Sequence, residues 1–281
     1  MIINIIGAGR VGQTLAWLLS RENTAEIGYV CNQTEASARA ALQFIGQGTG
    51  CARTEELPPA DITFITTPDD CIARVCVALS QSRLKPGGIV VHCSGALTSD
   101  TLQAVREKGC FAASIHPMRS FASPTLSVQE FRGTYCALEG DYPAIAVLVP
   151  LFKSIGAMVF SIDKTKKPLY HAAGVFASNY LVTLFSQALS CLEDAGIDNA
   201  VAVGAALNLM SGTLRNLEQT QSPPLSLTGP IKRADTETIL NHLRVLPEDK
   251  HRLYSVLGQA TLPLTTLSAE QKNNVIEALN T

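Results

Sequence analysis

Over the first 162 residues, short runs of hydrophobic positions alternate with stretches that have the apolar spacing of helices. Short apolar runs predict buried strands. The predicted strands are Ile2–Ile6, Ile27–Cys31, Ile62–Thr66, Ile89–His92, Phe111–His116, Thr134–Leu138 and Met158–Ser161. The predicted helices are Val11–Ser20, Thr34–Gln43, Asp69–Leu79, Ser99–Lys108 and Tyr142–Ile155. This alternation predicts an α/β fold, with a doubly wound, mostly parallel sheet that carries helices on both faces.

Beyond Asp163 the pattern changes to helices alone. A charged link, Lys164–Pro168, precedes these helices, and the loop Gln221–Pro230 interrupts them. The predicted helices are Leu169–Ala195, Asn199–Leu217, Asp235–Leu243, Glu248–Leu267 and Ala269–Leu279. We therefore predict two domains, residues 1–162 with the sheet and residues 163–281 with helices alone.

Two runs in the helical domain, residues 172–177 and 200–210, are apolar nearly all round. A helix without a polar face is expected to be buried on all sides. Packing against the first domain or against a second subunit would bury these runs. We favour a homodimer formed through the helical domain.

Composition and charge exclude several classes of protein. Of the 281 residues, 46% are hydrophobic and 16% are charged, which is typical of a soluble globular protein. The formal net charge is −2 and the basic residues form no stripe, which argues against nucleic acid as a partner. The first strand begins at Ile2 without a basic leader, and no run resembles a transmembrane helix. We therefore expect a cytoplasmic protein without a membrane partner.

The eight cysteines indicate neither disulfide bonds nor a metal site. None forms a C-x-x-C pair, and no histidine cluster accompanies them at zinc spacing. We expect reduced, mostly buried thiols and no bound metal. Cys93, which lies at a predicted strand end, is the one candidate for a catalytic thiol.

A glycine-rich turn follows the first predicted strand directly. The strand runs into Gly-x-Gly-x-x-Gly and a helical pattern begins behind it, which is the arrangement that binds the pyrophosphate of a dinucleotide. The three glycines permit, in order, a tight turn, close approach of the backbone to the pyrophosphate, and close packing of helix and strand. The candidate residues are Gly7, Ala8, Gly9, Arg10, Val11 and Gly12. The free N–H groups of the helix would face the phosphates.

The end of the second predicted strand indicates which dinucleotide binds. A carboxylate there would pair with the ribose hydroxyls of NAD and repel the 2′-phosphate of NADP, and the sequence has none. The neutral residues Asn32, Gln33 and Thr34 favour NADP(H) over NAD(H). Arg39 or Arg10 would supply positive charge, although a solvated helix face is the alternative for Arg39.

Three further strand ends supply candidate site residues. Thr66, Thr67 and Pro68 would flank the ribose on the nicotinamide side, with an ordinary capped turn as the alternative. Ser94 would donate a hydrogen bond to a substrate oxygen. His116, which precedes a proline, is a candidate proton donor, with a structural histidine as the alternative.

Six stretches in combination match a known family: residues 6–12, 67–70, 92–96, 114–117, 171–179 and 227–235. They resemble the pyrroline-5-carboxylate reductase and 6-phosphogluconate dehydrogenase-like proteins. More closely, the chain is similar to an uncharacterised NADP oxidoreductase family. The resemblance implies a Rossmann-type sheet followed by an all-α dimerisation and substrate domain. It also implies hydride transfer between NADP(H) and a small substrate in the interdomain cleft.

The resemblance fails at the residue that would protonate the substrate. Related β-hydroxyacid dehydrogenases carry Lys-x-x-x-Asn on the first long helix, where the lysine is the general acid and base. Aligning that asparagine with Asn179 places Val175 at the lysine position, so this mechanism does not transfer. On a regular helix His171 would lie about 12 Å along the axis from Asn179. We therefore expect Asn179 near the nicotinamide carboxamide or substrate oxygen and His171 at the far end of the pocket, with structural roles as alternatives.

A loop in the helical domain is a candidate substrate wall because it offers backbone amides, a hydroxyl group and two cations. A substrate carboxylate would suit the two cations. The residues concerned are Thr228, Gly229, Pro230, Lys232 and Arg233. The alternative interpretation is helix punctuation, in which Asp235 caps the next helix.

The sequence therefore predicts an NADP(H)-dependent oxidoreductase that acts on a small oxo-acid or imine. His116, His171 or a bound water would deliver the proton. The alternatives are an enzyme resembling a ketopantoate reductase, a redox sensor that binds NADP without turning it over, and a structural dimer that retains a relic dinucleotide fold.

Overall fold

An eight-stranded sheet forms the centre of the first half of the chain. The computed structural model describes residues 1–22 and 25–281. Its strands are β1 (Ile2–Ile6), β2 (Glu26–Cys31), β3 (Thr49–Cys51), β4 (Ile62–Ile65), β5 (Ile89–His92), β6 (Phe111–Pro117), β7 (Tyr135–Gly140) and β8 (Met158–Ser161). The sequence predicts seven of them; β3, a three-residue strand paired with the end of β2, was missed.

The strand order is β3-β2-β1-β4-β5-β6-β7-β8, and every neighbouring pair is parallel except β6 and β7. The doubly wound, mostly parallel sheet predicted from the sequence is confirmed. The order reverses between β1 and β4, which are adjacent although β2 and β3 lie between them in the chain. Ligands of such sheets bind at this switch point, outside the carboxyl ends of the strands.

Helices cover both faces of the sheet. They are α1 (Arg10–Arg21), α2 (Glu35–Ile45), α3 (Asp69–Leu79), α4 (Gln103–Arg106), α5 (Pro124–Gln129) and α6 (Tyr142–Ser154). One core cluster joins Leu15 of α1 and Phe152 of α6 to the strands, and a second joins Ile72 of α3. The sequence missed α5. It also predicted one helix over Ser99–Lys108, where the chain forms a 3₁₀ turn at Ser99–Leu102 and then α4.

Helices alone follow β8, as predicted. They are α7 (Lys167–Gly174), α8 (Tyr180–Asp194), α9 (Asn199–Thr220), α10 (Pro223–Ser226), α11 (Thr236–Val245), α12 (Glu248–Thr261) and α13 (Ala269–Leu279). The prediction of one regular helix over Leu169–Ala195 is wrong, because a π-helical turn at Val175–Asn179 separates α7 from α8. The helix predicted over Glu248–Leu267 ends at Thr261, before a 3₁₀ turn that contains Pro263.

The chain divides into two compact units, Met1–Ser178 and Asn179–Thr281. The division falls later than the domain boundary predicted after residue 162, so α7 belongs to the first unit. That functional boundary stays a prediction.

Much of the apolar surface on α8 and α9 is exposed in the single chain. None of the side chains of α8 is buried, and α9 buries only Ala202 and Ala206. Exposed apolar side chains of these helices include Val182, Val201, Leu207, Leu209 and Leu214. The predicted burial of the apolar runs therefore does not occur within one chain.

The stretch Lys164–Asp194 is long and apolar enough to cross a membrane, which the sequence analysis did not anticipate. Its most apolar window has a mean hydropathy of 1.3. One helix of this kind is weak evidence for a membrane segment, because helices of soluble proteins pass the same test.

The glycine-rich turn joins β1 to α1 at the switch point. Gly7 has φ +84°, a conformation that favours glycine, and a Cβ there would lie 2.8 Å from the backbone nitrogen of Thr67. A Cβ on Gly12 would lie 2.5 Å from Oγ1 of Thr66 and 3.0 Å from the carbonyl oxygen of Gly7. The third glycine therefore allows the close packing of α1 that the motif predicts.

We expect Gly12→Ala to lower the free energy of unfolding by about 1–3 kcal/mol, because the added methyl group overpacks this contact. Gly9→Ala is the matched control, since a Cβ there would meet only the carbonyl oxygen of Gly7, at 3.9 Å. Its effect should be smaller and should reflect only the preference for glycine over alanine at the N-cap of α1, about 1 kcal/mol or less. Urea denaturation of the coenzyme-free protein measures both. Equal stability of the two variants would contradict the packing argument.

Candidate functional site

A cavity of about 600 Å³ opens at the carboxyl ends of β1, β2 and β4. Its size suits a cofactor, since small-molecule sites are typically about 300–1,000 Å³. Eight residues predicted to bind coenzyme line it: Gly7, Ala8, Gly9, Asn32, Gln33, Thr66, Thr67 and Pro68. Cys31, Ser37 and Arg74 also line it. The structure thus brings the glycine turn, the end of β2 and the end of β4 around one space.

The amino end of α1 faces this space without a capping side chain. Gly9 occupies the N-cap position, and no side chain there satisfies the first N–H groups of the helix. Such an end attracts phosphate, because its N–H groups and its dipole both favour an anion. Thr67 adds a buried hydroxyl group for which the described residues provide no hydrogen-bond partner. These features fit a phosphate-bearing dinucleotide.

Asn32 connects the end of β2 to the glycine turn. Its Oδ1 accepts a hydrogen bond from the backbone N–H of Ala8 at 2.7 Å. Because the carbonyl end of the side chain is used in this way, its NH₂ group is left to donate into the cavity. At this position an NH₂ group can donate to a phosphate oxygen, whereas a carboxylate side chain would repel it.

The predicted source of positive charge differs from the one that the cavity contains. Neither Arg10 nor Arg39 lines the cavity, whereas Arg74 of α3 does. The signal was present in the sequence, because Cys71, Arg74 and Val75 recur at helical spacing on one face of the predicted helix.

The other residues predicted to bind the coenzyme do not line the cavity but belong to elements that border it. Arg10 and Val11 form the first turn of α1, and Gly12 packs against Thr66. Thr34 caps α2, where its Oγ1 accepts a hydrogen bond from the N–H of Ser37 at 3.2 Å.

A cluster of polar rings lies near the end of β6. Nδ1 of His116 and Oη of Tyr170 are 2.8 Å apart, and the rings of His116 and His171 are 6.2 Å apart. Two of the predicted catalytic residues, His116 and His171, are therefore neighbours. Burial, followed by the nearby charges of His171 and Lys167, lowers the pKa of His116 to about 4. His116 is thus neutral near pH 7.

Ser94 lies beside this cluster, in the loop after β5, and its hydroxyl group is hydrogen-bonded within the protein. Its Oγ donates to Oδ2 of Asp69 at 2.7 Å and accepts from the backbone N–H groups of Ala96 and Leu97. The hydroxyl group has one proton, so in this arrangement it has none for a substrate oxygen. Nδ1 of His92 accepts a hydrogen bond from the N–H of Ser94 at 3.1 Å, which fixes the start of the loop.

Lys167, which sequence reasoning placed in a charged link, is buried beneath the cluster. Only 1% of its surface is exposed. Its Nζ donates to Oγ of Ser114 at 2.5 Å and to the carbonyl oxygen of Ser94 at 3.2 Å, and lies 3.4 Å from Oε1 of Glu139. Burial lowers its pKa, and the carboxylate of Glu139 opposes that shift.

Tyr170 was also missed by sequence reasoning, although its spacing carried a signal. Lys167, Tyr170 and His171 stand at positions i, i+3 and i+4, which share one face of a helix. The buried lysine fixes that face against the carboxyl edge of the sheet.

The remaining predicted site residues lie in the second unit. Asn179 ends the π turn. Nζ of Lys232 donates to the carbonyl oxygen of Leu227 at 2.7 Å beside the predicted substrate loop, and Arg233 is exposed.

The helix-punctuation interpretation of this loop predicts that Asp235 caps the next helix. Asp235 does cap α11, by accepting a hydrogen bond from the N–H of Thr238 at 3.1 Å. Thr228, Gly229 and Pro230 precede the 3₁₀ turn Ile231–Arg233.

The cysteines give no sign of thiol catalysis. All eight are free. Burial raises the pKa of Cys93 far above its ordinary value, so this thiol is not activated as a nucleophile.

Two family profiles together match most of the chain. Residues 1–117 match a Rossmann-like domain, and residues 134–261 match DUF2520, a domain of unknown function. The chain combines a Rossmann-like domain with a C-terminal DUF2520 domain. A comparison with curated protein sequences finds no significant match.

Solved structures show the same arrangement over nearly the full length. A candidate NADP oxidoreductase from Bacteroides fragilis is 25% identical, with a TM-score of 0.76 over 93% of this chain and 98% of that one. A Thermotoga maritima protein is 26% identical, with a TM-score of 0.70 over 99% and 100% of the two chains.

More distant structures share the fold alone. Pyrroline carboxylate reductase from Plasmodium falciparum, solved with NADP bound, is 13% identical, with a TM-score of 0.57 over 100% of this chain and 96% of that one. The resemblance inferred from the sequence is therefore confirmed for the domain combination.

Proposed function

We propose that this protein is an NADP(H)-dependent oxidoreductase that acts on a small oxo-acid or imine. The observation that carries the proposal is the cavity at the uncapped amino end of α1, lined by the glycine turn and the end of β4. The Bacteroides fragilis and Plasmodium falciparum structures, described respectively as a candidate NADP oxidoreductase and a reductase with bound NADP, support it.

The preference for NADP(H) over NAD(H) is supported by three donors that line the cavity. Asn32 presents its NH₂ group, Ser37 a hydroxyl group and Arg74 a cation, and all three residues line the cavity. The 2′-phosphate of NADP accepts hydrogen bonds and attracts a cation, so these residues suit it. The ribose hydroxyl groups of NAD would lack the carboxylate acceptor that usually binds them.

The coenzyme supplies a hydride ion when it is bound, and the chain supplies the proton and the orientation. His116 is the candidate for proton transfer, with Tyr170 and His171 beside it. Substrate-binding roles for Asn179 and for the loop with Thr228, Lys232 and Arg233 stay predictions.

We also propose that the protein is a cytoplasmic homodimer. Exposure of the apolar side chains along α8 and α9 to water is unfavourable. A second copy carries the same apolar surface, so the two surfaces can bury each other in a symmetric interface. Pairing of these helices would bury the stretch that has the length and hydropathy of a membrane span, without requiring a membrane.

We expect NADPH to stabilise the protein by roughly 3 kcal/mol at a hundredfold excess over its dissociation constant, and NADH to do so less. Asn32→Asp should weaken NADPH binding about tenfold or more, because its carboxylate repels the 2′-phosphate, and should improve NADH binding. Thermal-shift titrations with both coenzymes measure this. Asn280→Asp adds the same charge on the other unit and serves as the control.

Each outcome of these titrations distinguishes between functions. Absence of stabilisation by either coenzyme would refute the proposal and favour a structural dimer with a relic fold. Stabilisation by NADPH without its oxidation, across a panel of oxo-acids and imines, would favour a redox sensor. Oxidation confined to ketopantoate would identify the ketopantoate reductase alternative.

We expect Val201→Glu to convert the dimer into monomers, because it places a charge on the exposed apolar face of α9. Val245→Glu is the matched control, since Val245 is equally apolar and more exposed but lies at the end of α11. Sedimentation velocity at micromolar concentration measures both. A monomeric wild-type protein, or dissociation by both substitutions alike, would contradict the proposed interface.

A further inference from the structure

Two cysteines lie side by side next to the coenzyme cavity, on neighbouring strands of the sheet. Cys31 ends β2 and Cys51 ends β3, and the two residues are partners in the register of this parallel pair. We propose that Cys31 and Cys51 form a reversible disulfide bond when the protein meets a peroxide, and that this bond closes the cavity to the coenzyme. The effect on the coenzyme rests on the proposed function, whereas the disulfide itself does not.

The two thiols lie on the same face of the sheet. Cys31 belongs to the buried cluster that contains Ile72 of α3, and Cys51 packs against that same cluster. Burial is the main cause that raises the pKa of the Cys31 thiol, and the nearby thiol of Cys51 raises it further. The two sulfur atoms are therefore neighbours.

The spacing of the strands permits a disulfide bond. Neighbouring strands lie about 4.8 Å apart, within the range of about 4.4–6.8 Å that separates the Cα atoms of disulfide-bonded cysteines. Their Cβ atoms must approach to about 3.5–4.5 Å, so one strand has to shift slightly. β3 is the strand free to do so, because it has three residues and pairs with β2 alone. The end of β2 is fixed, since the carbonyl oxygen of Cys31 accepts a hydrogen bond from the N–H of Gly7 at 2.8 Å.

The contacts of the two thiols in the reduced protein oppose this reaction only weakly. Sγ of Cys31 lies 3.7 Å from Oγ1 of Thr54, and Sγ of Cys51 donates to the carbonyl oxygen of Arg53 at 3.1 Å. Thiols are weak donors and acceptors, so the loss of these contacts costs little.

The disulfide would join two walls of the coenzyme cavity. Cys31 and Asn32 line one wall, and Ala52 and Thr54, which follow Cys51 in the chain, line another. Drawing β3 towards β2 brings these walls together at the end of the cavity where we expect the 2′-phosphate of NADP(H). The oxidised protein should therefore bind the coenzyme more weakly.

The oxidation balances with hydrogen peroxide as the oxidant. Cys51 reacts first, because it is half-buried, whereas Cys31 is only 4% exposed and its raised pKa leaves little thiolate. The sulfur of Cys51 attacks one peroxide oxygen and the O–O bond breaks. The leaving hydroxide takes the thiol proton and becomes water, so that Cys51 is left as a sulfenic acid.

The second step forms the bond between the strands. The sulfur of Cys31 attacks the sulfenic sulfur of Cys51, so that an S–S bond forms and the S–O bond breaks. The hydroxide takes the thiol proton of Cys31 and leaves as water. Both sulfur atoms have then been oxidised, and both peroxide oxygens have been reduced to water. A thiol such as glutathione reverses the reaction by exchange at the half-buried sulfur of Cys51.

The coenzyme and the disulfide oppose each other. If the disulfide lowers the affinity for the coenzyme, the coenzyme must disfavour the disulfide by the same factor. NADPH in the cavity would also cover Cys31, which lines it. Peroxide would therefore act mainly on protein that has no coenzyme bound.

Mass spectrometry tests the disulfide directly. Trypsin places Cys31 in the peptide 22–39 and Cys51 in the peptide 40–53, with no other cysteine in either. Reduced protein is treated with hydrogen peroxide, its remaining thiols are alkylated, and the digest is measured without reduction. We expect the two peptides to appear joined, at a mass two hydrogen atoms below their sum, and to separate after treatment with dithiothreitol.

Two variants show whether this pair is specific. Cys51→Ser should abolish the joined peptides, whereas Cys71→Ser should leave them unchanged. Cys71 is the matched control because it lines the same cavity but lies on α3, away from the paired strands. Joining of Cys31 to a different cysteine, or oxidation that stops at a sulfenic acid on Cys51, would overturn the proposal.

Calorimetric titration of NADPH into the reduced and the oxidised protein tests the effect on the cavity. We expect oxidation to raise the dissociation constant about tenfold or more, and dithiothreitol to restore it. Cys51→Ser should have the same dissociation constant before and after peroxide treatment. Saturating NADPH should slow the appearance of the joined peptides about tenfold in the wild type.

The two experiments separate failure of this inference from failure of the proposed function. Oxidised protein that contains the disulfide and still binds NADPH as tightly as the reduced protein would overturn the closing of the cavity. Failure of the reduced wild type to bind NADPH would instead refute the proposed function, and the joined peptides would still decide whether the disulfide forms.

Discussion

The buried ammonium group of Lys167 is the constraint on which the candidate site depends. An unpaired charge in the protein interior is strongly destabilising, so Lys167 must keep its contacts with Glu139, Ser114 and the carbonyl group of Ser94. These contacts tie the first turn of α7 to β6, to β7 and to the loop after β5. Hydrophobic residues in place of such a pair often give equal stability. We therefore interpret the Lys167–Glu139 pair as fixing the position of α7 rather than as adding stability.

The coenzyme cavity and the histidine cluster share one edge of the sheet because β1, β4, β5 and β6 are parallel. A hydrogen bond from Ser94 to Asp69 links the loop beside the cluster to the first residue of α3. Pro68, which precedes that helix, lines the cavity. The cavity and the histidine cluster are thus held by adjacent parts of one framework, as the proposed transfer of a hydride and a proton would require.

The sequence predicted the parts of this arrangement that depend on short-range patterns. The glycine turn and Thr66 follow β1 and β4, and His116 lies near the end of β6, and the apolar runs of the sequence reveal these strands. Lys167 was missed because it stands in a charged segment that resembles a solvent-exposed link, and its burial depends on Glu139, a distant partner. The strand Thr49–Cys51 has no apolar run to mark it. The π turn was missed because its side chains have nearly the spacing of an α-helix.

A crystal structure of the protein grown with saturating NADP⁺ tests the central claim most directly, because that claim concerns where the coenzyme lies. We predict that the pyrophosphate will lie against Gly7 and Gly9 at the amino end of α1, with the 2′-phosphate near Asn32 and Arg74. Coenzyme bound elsewhere, or a cavity without coenzyme under these conditions, would contradict the account.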